Sequence, residues 1–543
     1  MSKIGNGRHT DEKRAVPTLP DMITTLRLRL KDKDRQRFFA AYFGAKMIGI
    51  TAVMAAVWAF MWFFSSSAGA IGLHSAAVKA ADVVNPLNTV WVLVTAFLVF
   101  FMQAGFMMLE GGFARTREVS NIMIECIADT AMCGVLFWAF GFAFMFGGDA
   151  STKWIGNTYF FLQGVPHTYG TTGVAFMAFF LFQFAFADTA STIVSGAMVG
   201  RTGFKGDLLY SIGVSGFIYP IFGHWIWGPG GWLATMSTPF HDFAGSTVVH
   251  TIGGVLALTG AIALGPRVGR KFKRDGGGLP PGHDMTIAAL GGIILWFGWY
   301  GFNPGSTLSA MDFEGIGRIA TNTTLAACTG ALFAMFYIYF RTKKWDVGIS
   351  INGLLAGLVA ITCPCYWVSP AGALAIGAVA GIVVVLAVDF TEWIRVDDPC
   401  GAFAVHGAAG IWGTLSLGLF AVGNYGAPTA TGSDSSVPVK GIFYGGNANQ
   451  LIAQVKGSAT IVAATLAAGL LLMYAVKLTR TLRVSVEGEI EGLDIHEHGA
   501  PAYHPEFAYM GYSQLPPGKG SGGGALGGTS PGVPAMSGES LVE

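Results

Sequence analysis

The chain has 543 residues, of which 52% are hydrophobic and only 12% charged, and its mean hydropathy is +0.52. That composition excludes an ordinary soluble globule and makes the lipid bilayer its natural solvent. A net charge of +1 with no extended basic face argues against nucleic acid as a partner.

In chain order, residues 1–46 form a basic leader that includes LRLRLKDKDRQRFF, and an apolar run over 47–70 ends in SSSAGA. The run fits either a cleavable signal peptide or an extra transmembrane helix. A hydrocarbon core of about 30 Å needs roughly 20 apolar residues per helix, and from Thr89 onward about eleven such segments follow. They are predicted at 89–112, 120–147, 173–199, 207–236, 245–265, 285–304, 317–341, 349–366, 370–389, 400–422 and 454–477. Together they make a transmembrane core over 89–477. Arg115 and Arg117 follow the first segment, Arg201 and Lys205 the third, Arg267 to Arg274 the fifth, Arg341 to Lys344 the seventh and Arg395 the ninth. Lys477, Arg480 and Arg483 follow the last. Positive loops face the cytoplasm, so the core is predicted to start outside and end inside, as a multi-pass protein of the cytoplasmic (inner) membrane. Residues 478–513 then form a cytoplasmic tail, and the Gly/Pro/Ser-rich stretch 514–543 is predicted to be disordered. The six cysteines lie mostly in apolar runs with no zinc-like spacing and read as small buried hydrophobes. No cofactor or metal is expected, and with no nucleophile elbow or nucleotide motif an enzyme is not expected either.

Two passages carry the first functional signal: Asp242-Phe-Ala-Gly-Ser-Thr-Val-Val-His250 and Asp398-Pro-Cys-Gly-Ala-Phe-Ala-Val-His406. Each places an Asp eight residues before a His, the first entering the fifth segment and the second the tenth, five segments later. Five segments per half reverse the orientation of the second half, which is the pattern of an inverted repeat with its functional groups near the midplane. Eight residues of helix carry each His roughly 12 Å inward from its Asp, so the two imidazoles are predicted to approach each other near mid-depth. Ionisable side chains in spanning helices are functional by default. Each Asp reads as a helix cap, and the charge of Asp242 also suits attraction of a cation at an outer mouth.

The passages DFAGSTVVH, FGWYGFNPGS and VDDPCGAFAVHGAAGIWGTL, with the tail EGLDIHEHGAPAY, resemble the hallmark motifs of the ammonium transporter (Amt/MEP/Rh) family, most closely its bacterial Amt branch. The resemblance runs from about Val90 to the tail. It implies an all-α fold of eleven core transmembrane helices, a 5+5 inverted repeat plus one, assembled as a homotrimer with a pore in each protomer. By the same resemblance Trp227, Ser306, Phe186 and Asp242 form an outer recruitment site for ammonium or methylammonium. Phe186 and Phe302 are the stacked pore gate, His250 and His406 the twin histidines, and Gln183, Thr362 and Trp299 secondary pore positions. The implied mechanism deprotonates ammonium and passes ammonia through the pore while the proton is relayed separately. A neutral Rh-like ammonia or carbon dioxide channel and an ammonium sensor are the alternatives. A PII-type signal protein is the implied cytoplasmic partner. The sequence departs from the family at Asp188, where a small uncharged residue is usual, and at Gly200, which replaces an acid. Pro304 is an accepted variant predicted to break its helix beside the site.

Overall fold

The computed structural model describes residues 80–425 and 438–503, so the leader 1–46, the apolar run 47–70 and the stretch 514–543 lie outside the described residues. Lipid offers no partner to a backbone amide, so a chain this apolar pairs its amides within helices. In order these are α1 (Ala81–Phe113), α2 (Val119–Phe146), α3 (Phe176–Gly196), α4 (204–227), α5 (Ser246–Leu264), α6 (Met285–Gly305), α7 (Phe313–Thr342), α8 (Val347–Thr362), α9 (Pro370–Trp393), α10 (Phe403–Phe420) and α11 (Asn449–Leu478). Among the described residues nine of them, all except α4 and α8, are long and apolar enough to cross a bilayer. The protein is therefore a polytopic, mostly α-helical membrane protein. A short antiparallel pair, β1 (Thr168–Tyr169) and β2 (Val174–Ala175), precedes α3. Two small helices, α12 (Val486–Glu491) and α13 (Leu493–His498), follow α11.

Helix ends depart from the hydropathy reading where capping decides them. The segment expected over 207–236 ends at Trp227, because Gly228 is extended and Gly230 takes a left-handed φ of 74°. That expected over 349–366 runs over Val347–Thr362, started by Asp346, whose side chain accepts from the Ile349 amide. Asp284, Asp312 and Ser369 cap α6, α7 and α9 in the same way. The first and last segments start earlier than expected, at Ala81 rather than 89 and at Asn449 rather than 454, and α7 extends over Phe313–Thr342 rather than 317–341. Polar residues at the mouth of a membrane helix continue its hydrogen bonding beyond the apolar run. Pro304 lies in the last turn of α6, which ends at Gly305.

Packing is set by small residues, as expected where apolar faces gain nothing by leaving lipid. A Cβ on Gly357 of α8 or on Gly377 of α9 would stand 2.2 Å from the Ala326 carbonyl oxygen of α7, so these three helices touch through backbone.

All the basic loops meet at one end of the bundle. Arg115 reaches the Gly200 carbonyl at 3.2 Å, Arg395 pairs with Asp275 at 2.6 Å, and Arg483 donates to the Leu264 carbonyl at 2.8 Å. Gly200 has φ 83°, and a Cβ there would press on the Glu118 carboxylate at 2.7 Å. The acid missing at position 200 is thus supplied beside it by Glu118. Asp397 is the centre of this end: Arg267 grips its two oxygens at 2.8 and 3.0 Å, Arg270 adds a contact at 3.1 Å, and Arg201 donates to its carbonyl at 2.6 Å. Burial alone would raise the Asp397 carboxyl, but the bonded Arg267 guanidinium and the nearby charge of Arg201 together outweigh it and hold the group well below the usual carboxylate range.

A carboxyl depressed in the folded state stabilises above its unfolded value and loses that contribution as pH falls toward the folded one. Asp397→Asn is expected to lower stability by about 3–5 kcal/mol at neutral pH, because it leaves buried Arg267 without its charge partner. In thermal melts of the purified protein, the gap between wild type and variant should narrow once pH drops below about 4.

Candidate functional site

The site begins with two helix entrances built alike. Asp242 is fully buried, and its carboxylate accepts from the amides of Gly245, Thr247 and Val248 at 3.0, 2.8 and 2.9 Å. Asp398 accepts from Ala402 and Phe403, both at 2.9 Å. Each cap neutralises free amides at a positive helix end and starts a π-helical turn, Ser246–Thr251 in one case and Phe403–Ala408 in the other. Such turns are rare and concentrate at functional sites. Each of these contains a histidine.

The helices α5 and α10 cross where neither has a side chain. A Cβ on Gly254 would stand 2.2 Å from the Gly407 amide nitrogen. This contact brings His250 Nδ1 to 3.1 Å from His406 Nδ1, with ring centroids 5.2 Å apart. Between two neutral imidazoles one Nδ1 must carry the proton and the other accept it, so the outward Nε2 atoms have opposite character. His250 Nε2 is buried with no hydrogen-bond partner among the described residues.

Above the histidines, on the side away from the basic loops, the column is aromatic. His250 stacks on Phe302 at 5.3 Å and on Trp299 at 5.1 Å, and Phe302 stacks on Phe186 at 4.0 Å. Trp299 is fixed by its indole N–H, which donates to Thr362 Oγ1 at 2.8 Å. Over Phe186 opens an upper cavity lined by Phe146, Phe182, Gln183, Trp227, Phe243, Ser306 and Leu308. Gln183 Oε1 is an acceptor with no partner among the described residues. Below His406 a lower cavity is lined by Phe106, Glu110, Asn352, Cys400 and the histidine itself, among others.

The structure thus gathers Phe186, Phe302, His250, His406, Trp299 and Thr362 into one column, with Trp227, Ser306 and Gln183 above it. Asp242 does not line the upper cavity. It lies behind Trp227, whose indole N–H donates to the Asp242 carbonyl at 2.7 Å. Asp188, two residues beyond Phe186, lines neither cavity and faces Gln103 of α1 and Thr130 of α2. Sequence reasoning missed Phe243 and Phe146, which carry no signal among 41 phenylalanines. It also missed Glu110, an acid inside a predicted span, to which the rule applied to the histidines applies equally.

Overpacking of a tight backbone crossing typically costs about 1–3 kcal/mol. Gly254→Ala is therefore expected to lower the melting temperature, and a structure of the variant should show the two Nδ1 atoms beyond hydrogen-bond distance. An unchanged contact would contradict this account of the crossing.

Comparison with known proteins agrees with this geometry. The Ammonium Transporter Family matches residues 90–503. The chain is 43% identical over 448 residues to the ammonium transporter Amt2 of Archaeoglobus fulgidus, covering 81% of this chain and 92% of that one. It is similar to a solved structure described as a Sensor Amt Protein, with a TM-score of 0.69, 35% identity and coverage of 77% and 99%. It is similar also to Candida albicans Mep2, with a TM-score of 0.65, 27% identity and coverage of 74% and 86%. A polytopic helical bundle, a histidine pair buried under a stacked aromatic column and a family match across the described core together identify the chain as a member of the Ammonium Transporter Family, a multi-pass membrane transporter of ammonium.

Proposed function

We propose that the protein recruits ammonium in the upper cavity, deprotonates it there, and conducts ammonia past Phe186 and Phe302 while the proton crosses separately through His250 and His406. The observation that carries the reading is the 3.1 Å contact between the two Nδ1 atoms beneath a closed aromatic stack. Ammonium is a small cation whose dehydration is costly unless a site replaces its water. Trp227 and Phe186 offer ring faces, with cation–π contacts worth about 0.5–2 kcal/mol, and Ser306 and Gln183 offer oxygens. The negative charge of Asp242 acts from behind Trp227, favouring a cation in the cavity. Potassium can donate no hydrogen bond and surrender no proton, so selectivity follows from chemistry and not from diameter. Phe186 and Phe302 stack at 4.0 Å and close the path, and an apolar constriction that must part for each passage favours a neutral molecule over an ion.

The remaining architecture is part of the same proposal. Counting α4 and α8 with the nine long helices gives eleven, read as a 5+5 inverted repeat plus one, over a core of 89–477. The recurrence of cap, π turn and histidine in α5 and α10 supports that repeat. The basic end is cytoplasmic, residues 478–513 form a regulatory tail, and the functional unit is a homotrimer whose cytoplasmic face suits a PII-type signal protein. A second reading, an ammonium sensor, is favoured by the likeness to the Sensor Amt Protein.

Transient currents from protein in liposomes, on pulsing ammonium against potassium, test the mechanism. Ammonium is expected to give current and potassium none. His250→Ala should reduce the current by at least about a hundred-fold, the low end of what a positioned proton-transfer group contributes, and Trp227→Leu should mainly raise the ammonium concentration at half-saturation. Alkalinisation of the lumen without current would instead mark a neutral ammonia channel, and neither signal, with ammonium still bound, a sensor.

A further inference from the structure

The lower cavity has a wall that the histidine mechanism does not use. Glu110 of α1 lines it with His406, Asn352 and Cys400 and is 2% exposed. Its Oε2 accepts from Ser195 Oγ of α3 at 2.9 Å. Behind it α2 carries Asn121, Glu125 and Asp129 at intervals of four, which places them along one stripe. All three are buried, as is Asp207 of α4. Ser211 donates to Asp129 and Tyr210 to Asp207. Asp129 lies within electrostatic reach of Glu110, Glu125 and Asp207.

Two features set this group apart from a structural pin. The ion pairs among the described residues use Glu118, Asp275, Asp389, Glu392, Asp397, Glu489 and Glu491, and none joins a cation to Glu110, Glu125, Asp129 or Asp207. Moreover Glu125 Oε1, Asp129 Oδ2 and Asp207 Oδ2 are buried with no hydrogen-bond partner among the described residues. A pin between helices needs one oxygen and a neutral side chain. A cluster of uncompensated carboxyls with spare oxygens needs protons to share, and in a membrane such chains mark proton routes. At the basic end the stripe terminates on Asn121, whose backbone N–H donates to Asp494 Oδ1 at 2.9 Å and whose Oδ1 meets His498 Nε2 at 2.8 Å.

We propose that Glu110, backed by Asp129, Glu125 and Asp207, is a proton-exchange site opening on the lower cavity, at which ammonia that has passed His406 becomes ammonium again. The proposal rests on the reading that ammonia and proton cross separately. The Glu110 O–H bond breaks and an N–H bond forms on ammonia, leaving a carboxylate. That carboxylate takes up the proton released at the upper cavity and delivered through the histidines, so no proton is gained or lost over a cycle. Once the relayed proton has reached Glu110, the three acids behind it exchange that proton with it until the next ammonia arrives.

Glu110→Gln keeps an acceptor for Ser195 and so leaves the α1 to α3 contact in place. In liposomes its ammonium-driven current is expected to fall at least about ten-fold, while ammonia that enters without its proton alkalinises the lumen, a signal the wild type does not give. Asp129→Asn should lower current in the same sense by less. Current equal to wild type in Glu110→Gln overturns the proposal, and loss of both current and alkalinisation counts against it by marking a blocked cavity. Should the wild type itself pass no current, the separate-crossing reading fails, and infrared difference spectra on adding ammonium decide the site on their own. A carboxylic band that changes in the wild type and in His250→Ala, but is absent in Glu110→Gln, supports proton exchange at Glu110. No such band overturns it.

Discussion

The structure turns on one crossing. α5 and α10 come close enough at Gly254 and Gly407 that a single added carbon would collide with backbone, and only at that separation do two imidazoles entering from opposite ends share one hydrogen bond. Everything nearby serves the crossing. The carboxylates of Asp242 and Asp398 absorb the free amides at each helix start. Each histidine lies within a π turn, and Thr247 Oγ1 meets Thr414 Oγ1 at 2.5 Å to tie the two helices together. A hydrogen bond between like atoms has a direction, since one ring donates and the other accepts. Moving one proton along it exchanges those roles, which is the property a relay needs and which a lone buried histidine lacks.

The aromatic column adds a second constraint on the same axis. Trp299 and Phe302 hold His250 from one side by stacking, and Trp299 is itself anchored on Thr362. The ring that positions the histidine, Phe302, is also the ring that closes against Phe186. A change that loosens the stack therefore disturbs the histidine geometry, and in the proposed mechanism one side chain couples permeation to proton transfer. Trp299, Phe302 and His250 are all fully buried, and in such a low-dielectric setting each remaining polar contact of the column counts for more.

How much of this was legible in the sequence differs by level. Hydrophobic runs located α1 to α11, since lipid leaves the backbone no other choice, but not the short tail helices α12 and α13, and the ends were set by caps such as Asp346 and by glycines such as Gly230, which hydropathy averages do not register. The two Asp-to-His passages placed His250 and His406 near mid-depth, because depth follows from residue count along a helix. The same count predicted that the two rings approach each other, and what it did not register is the crossing that lets them touch, with Gly254 opposite Gly407. Sequence likewise assigned Asp242 to the mouth of the pore, whereas its side chain is spent on backbone amides and only its carbonyl touches Trp227. Glu110 carried a readable sign, an acid within a spanning segment, but its meaning needed the cavity that it lines.

The two ends of the column share a scaffold and differ in chemistry. Cap, π turn and histidine recur in α5 and α10, yet the upper cavity is walled by Phe146, Phe182, Trp227 and Phe243, and the lower by Phe106, Leu109, Ile193 and the carboxyl of Glu110. Ring faces with neutral oxygens suit a cation that is to be stripped of its water and then of a proton. A carboxyl beside a histidine suits a neutral molecule that is to regain one. The recurring cap, π turn and histidine by themselves would make the two ends of the column alike. Side chains placed on the helices, and not the shared scaffold itself, are what make the two ends chemically different, and the proposed capture and re-protonation rest on that difference.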